Sequence, residues 1–68
     1  MTDTRALRLA IEKTGMKYKY IAEELGLSPY GLQLKIENDN EFKVSEVDKL
    51  ADLLHLSILE KDAIFFAK

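Results

Sequence analysis

The chain has no cysteine, so neither a disulfide nor a thiolate metal site can form, and the composition fits a reducing compartment. It has one histidine and no second metal-seeking partner for it, which removes the usual zinc ligand sets. Proline occurs once and glycine three times, all at positions where helices begin or end. Tracts of linker, repeat or low-complexity character are missing too. No apolar run approaches the roughly 18 residues of a membrane span. Met1-Thr2-Asp3-Thr4-Arg5 lacks the basic-then-apolar layout of a signal peptide, so the expectation is a cytoplasmic chain without a membrane partner. No nucleophile–base pairing or phosphate-cradling glycine loop is present, and nothing points to an enzyme, a cofactor or a small-molecule substrate.

The 68 residues are read as one domain, residues 1–68. A chain this short buries only about 60 % of the surface its unfolded form exposes, which leaves room for one modest core. Ten basic and twelve acidic side chains give a net charge of −2. Residues 1–43 hold seven of each sign, and residues 44–68 hold three basic and five acidic. An electropositive face must therefore be local and lie in the first two thirds.

Apolar spacing predicts an all-α, compact five-helix bundle. Leu7, Ala10, Ile11 and Thr14 form a stripe for a first helix over Thr4 to Thr14, and Gly15 suits the left-handed residue past its end. Ile21, Ala22 and Leu25 share one face of a second helix over Tyr18 to Leu25, which Gly26 stops. Ser28 caps a third helix, Pro29 takes its first position, and Leu32 and Ile36 turn inward before it ends near Glu37. Asn38-Asp39-Asn40-Glu41 is turn chemistry, and Phe42 and Val44 read as plugs. Ser45 is expected to open the fourth helix, with Val47, Leu50, Ala51 and Leu54 inward. Ser57 and Glu60 form a capping box for the fifth. Its inner stripe is read as Leu59, Ala63 and Phe66. Ile64 and Phe65 are then left to cover the first helix or to form a dimer contact. His55 falls near the end of the fourth helix, where a cation meets the negative dipole end. Asp48, Asp52, Glu60 and Asp62 read as a solvated face.

The segment 18–37 is a short helix, a tight turn and a second capped helix, which is the helix-turn-helix pattern. Tyr20-Ile21-Ala22-Glu23-Glu24-Leu25-Gly26-Leu27-Ser28 resembles the signature of the Cro/lambda-repressor-like helix-turn-helix family. The continuation Lys35-Ile36-Glu37-Asn38, Glu41-Phe42 and Ser45-Glu46-Val47 is similar to a small phage-encoded subgroup. The resemblance covers about residues 5–60. It implies a lambda-repressor-like fold, frequent homodimers and a place in a lysis–lysogeny switch within a bacterial host cell. Small phage members include Cro-like repressors that bind operator DNA and antirepressors that bind a partner repressor.

The pattern departs from the family at two places: Tyr18 stands where Gln often contacts a phosphate, and the third helix opens Pro29-Tyr30-Gly31. Helical spacing places Tyr30, Gln33, Leu34 and Glu37 outward, with Gly31 beside them. Gln33 can pair with adenine, and Tyr30 can touch a phosphate or a thymine methyl. Lys17, Lys19, Lys35 and Lys43 are the candidate phosphate contacts, helped by free N–H groups at the start of the second helix. Ser28, Pro29 and Asn38 complete the candidate surface. The same face, with Tyr30 and Leu34 one turn apart, also resembles the centre of a protein–protein interface. Two partners therefore stand open: operator DNA, and a phage repressor whose DNA-reading surface is masked.

Overall fold

The computed structural model of this chain describes residues 1–67. They form five helices and no strand: α1 (Thr4–Thr14), α2 (Tyr18–Leu25), α3 (Pro29–Ile36), α4 (Val44–Leu53) and α5 (Ile58–Phe65).

Side-chain caps start three of the five. Asp3 accepts the Ala6 N–H at 3.0 Å, and Ser28 accepts the Gly31 N–H at 2.9 Å. Ser57 and Glu60 make the expected reciprocal box, at 3.1 and 2.9 Å. The fourth helix starts two residues earlier than a Ser45 cap would set it. Lys43 is the extended residue before it, and Glu46 reaches back to the Lys43 N–H at 2.8 Å. Ser45 therefore lies inside the first turn, and Val44, expected as a plug, is 74 % exposed.

One device ends three helices. The N–H groups of Leu27, Asp39 and Leu56 return to the carbonyls of Ala22, Leu34 and Ala51 at 2.8, 2.8 and 3.0 Å. Each closure needs a left-handed residue just before it, and these are Gly26, Asn38 and His55, with φ of 71°, 66° and 54°. Gly26 suits that slot at no steric cost, whereas Asn38 and His55 carry a Cβ into it. In α1, Gly15 takes the left-handed slot, and the Thr14 hydroxyl links the Met16 N–H to the Ile11 carbonyl.

The core is built from Leu7 and Ile11, Ile21 and Ala22, Leu32 and Ile36, Val47, Leu50 and Leu54, and Ile64 with Phe65. Full burial of each large aliphatic side chain contributes about 1.5–3 kcal/mol. Helix α2 packs against α3 and α4, and α5 packs against α1 and α4. Phe42 is half-buried and meets the Phe65 ring edge-on, with centroids 5.5 Å apart.

The fifth helix presents the opposite face from the one its spacing suggested. Ile64 and Phe65 are 6 % and 4 % exposed, so they are core residues and offer no surface for a dimer contact. Leu59, Ala63 and Phe66, expected inside, are exposed. The reason is geometric: α5 must reach α1 and α4 together, and the adjacent pair Ile64-Phe65 spans the two where one narrow stripe cannot.

The N-terminal residues strap the end of α3 to the bundle. Thr2 is nearly buried and exchanges two hydrogen bonds with the Asn38 side chain, at 2.9 and 2.8 Å. Thr4 Oγ1 donates to the Ile36 carbonyl at 2.5 Å, and the Asp3 N–H donates to the Ile64 carbonyl at 2.6 Å.

Candidate functional site

Helix α3 begins at an exposed Ser28-Pro29 step and carries a solvent-facing row of Tyr30, Gln33 and Glu37 along its side and past its end. The spacing of three and then four residues puts them on one face. Tyr30 is the most open of them, at 70 %. Pro29, Tyr30 and Gln33 line a groove of about 460 Å³ whose other wall is Tyr18 of α2 and Arg8 of α1. Leu32 and Ile36 form its apolar base and hold α3 down on the core.

Gly31 is half-buried within this helix, and its N–H is the one the Ser28 cap receives. A Cβ at this position would meet Ser28 Oγ at 3.1 Å, so the tight cap favours a residue without a side chain.

The cations divide into two groups. Lys17 and Lys19 are exposed at the start of α2, where no side chain caps the first turn. Their charges and the helix N-terminus favour an anion at that place. Lys43 is exposed before α4. Lys35 is different. It is the one cation of α3, and it turns away from the row to pair with Glu46 of α4 at 2.5 Å, with 12 % and 9 % of the two side chains exposed. Burial pushes the Glu46 carboxyl upward. The Lys35 hydrogen bond, the Lys43 N–H and both lysine charges outweigh that and hold its pKa below the ordinary value.

Several candidates are thereby assigned structural contacts. Lys35 holds α3 to α4, and Asn38 clamps Thr2. Leu34 is half-buried, and its carbonyl accepts the Asp39 and Asn40 N–H groups. It does not stand fully outward beside Tyr30, as helical spacing alone suggested. Tyr18, Pro29, Tyr30 and Gln33 are brought together, while Lys17 and Lys19 stand at the adjoining end of α2.

Arg8 was not singled out by the sequence. Its guanidinium pairs with Glu37 at 3.2 Å and lies 6.0 Å from the centre of the Tyr18 ring. It joins α1 to the exposed row of α3. Helical spacing marks Arg8 only as lying off the buried stripe, so no local signal announces it.

Comparison of the chain with protein-family models, with curated proteins and with solved structures gives no match.

Proposed function

We propose that the chain is a non-enzymatic transcription regulator of phage type, in which α2, the Gly26–Ser28 turn and α3 are a helix-turn-helix unit. In this reading α3 enters the major groove of operator DNA in a lysis–lysogeny switch. One observation carries it: Tyr30 and Gln33 project from a capped, buried-base helix that packs on α2, with Lys17 and Lys19 exposed at the start of α2. Gln33 supplies the amide pair that adenine requires, Tyr30 an apolar or phosphate contact, and the two lysines phosphate neutralisation. The resemblance of Tyr20–Ser28 to the Cro/lambda-repressor-like signature supports the same assignment.

A second reading is favoured by a specific observation. Lys35 is engaged by Glu46 and Arg8 by Glu37, so the α3 row carries no unpaired cation among the described residues. A row of Tyr30 and Gln33 around a groove suits the reading helix of a partner repressor, which it would mask as an antirepressor.

Fluorescence anisotropy with DNA from the chain's own promoter region, at two salt concentrations and with or without the neighbouring repressor, tests both. Salt-sensitive, sequence-selective binding by the protein alone supports operator reading. Silence alone, with repressor binding weakened or retargeted on mixing, supports the antirepressor. Absence of both effects, with promoter DNA and repressor present, would remove the regulator assignment.

A further inference from the structure

The row of Tyr30, Gln33 and Glu37 ends on an acid. Glu37 is the C-cap residue of α3, at the negative end of the helix dipole, and Asp39 and Glu41 stand exposed just beyond it. Lys35, the cation of α3, is turned away onto Glu46. Among the described residues, the row's one ion-pair partner is Arg8, whose guanidinium meets Glu37 at 3.2 Å and lies 6.0 Å from the centre of the Tyr18 ring. Arg8 comes from α1 and stands on the groove wall opposite Tyr30 and Gln33.

The dimensions of DNA make this acid matter. The major groove is about 12 Å wide, so a charge inside it stands within the Debye length of about 8 Å from one phosphate strand. Gln33 and Glu37 are four residues apart on one face, about 6 Å along the axis. A helix that brings Gln33 to base edges therefore brings Glu37 close to phosphates. A carboxylate about 7 Å from one phosphate in water costs about threefold in affinity.

We propose that Arg8 is a positioning residue of the operator-reading face. It acts through Glu37, cancelling its charge and holding its carboxylate back toward α1 and Tyr18, so that α3 can enter the groove. This rests on the operator-reading role proposed above. The two side chains are 38 % and 42 % exposed, and an ion pair so open to water adds little to the stability of the fold. Its removal therefore reads on binding. One hydrogen bond joins the pair, so lysine can take the place of Arg8.

The test titrates promoter DNA with the whole chain and with Arg8→Gln, Glu37→Gln, the double variant, Arg8→Lys and Lys13→Gln, by fluorescence anisotropy at two salt concentrations. Arg8→Gln should bind all sequences about threefold or more weakly at low salt, and the deficit should shrink as salt is raised. Glu37→Gln should bind more tightly than the parent, and the double variant should return to parental affinity. Arg8→Lys should keep that affinity. Lys13, an exposed cation of the same helix, lines a different groove, so Lys13→Gln should cost less than Arg8→Gln. Urea midpoints of all the variants should stay at the parental value. A double variant as weak as Arg8→Gln would make Arg8 a direct DNA contact and overturn the proposal. So would Arg8→Gln at parental affinity, or losses that follow lowered urea midpoints. Each of these leaves operator reading intact, whereas a parent chain that binds no promoter DNA removes that role and this inference together.

Discussion

The Lys35 ammonium lies 2.5 Å from Glu46 Oε1, and this pair ties α3 to α4 with little of either side chain in water. Glu46 also accepts the Lys43 N–H at 2.8 Å, so one carboxylate both closes the start of α4 and fixes α3 against it. The contact removes the only cation of α3 from the exposed row.

The pair makes stability depend on pH. The Glu46 pKa is lowered in the fold, so its contribution is complete above the ordinary carboxylate range and is lost as pH falls through the folded value. Glu46→Gln is expected to cost about 1.5–3 kcal/mol at neutral pH, the worth of a hydrogen bond to a charged group. It should also flatten the acid limb of the stability curve. Urea unfolding at neutral and acidic pH measures both, and an unchanged acid limb would place the proton uptake elsewhere.

His55 holds the left-handed position after α4, with φ of 54°. His55→Gly relieves the Cβ clash of that conformation and should stabilise the chain by about 1 kcal/mol. For a domain of this size that is a rise in Tm of roughly 4–8 °C. The reverse change, Gly26→Ala, meets no atom within 4 Å but keeps φ at 71°, so it should destabilise through backbone strain alone. A thermal melt of the two variants that moved both in the same direction would contradict the account.

The two faces of α5 differ sharply in what they hold. Phe65→Ala should cost about 3–5 kcal/mol, since the ring is buried and packs on Phe42. Leu59→Ala should stay within about 0.5 kcal/mol. Chemical denaturation separates these values, and a large loss at Leu59 would reverse the assignment of the faces.

Asn38→Ala removes both hydrogen bonds to Thr2 and puts alanine at φ of 66°. The expected cost is about 1–3 kcal/mol, with faster hydrogen exchange at the Thr2 amide. Asn38→Gly keeps the left-handed backbone and should recover part of the stability but not the protection of Thr2.

Under the proposed operator-reading role, Gln33→Ala should weaken preference at one base position by about 1–3 kcal/mol, while Lys19→Ala should lower affinity for all sequences alike and reduce the salt slope by about one. Titration of both variants against promoter DNA reads this directly. Two variants as tight as the parent would sink the operator-reading version.

Much of the fold was written locally. The spans of α1 and α2, the Ser28-Pro29 start of α3 and the Ser57–Glu60 box follow from caps and three-and-four spacing, which act within one or two turns. At α4, Ser45 is the better cap by residue type, but the Glu46 side chain selects Lys43 by closing on its N–H. At the candidate site, spacing identified the outward Tyr30, Gln33 and Glu37, but not the partners that change what they present.

The sequence by itself determined that this chain is helical, where four of its five helices begin, and which stripes of α1 to α4 turn inward, because periodicity and capping are local physics. Only the tertiary structure decided which stripe of α5 is buried, that Asn38 clamps Thr2 from its left-handed position, and that Lys35 and Arg8 are bound to Glu46 and Glu37. Each of those depends on a residue distant in the chain or on which neighbour a helix must reach, and no local pattern encodes that distance.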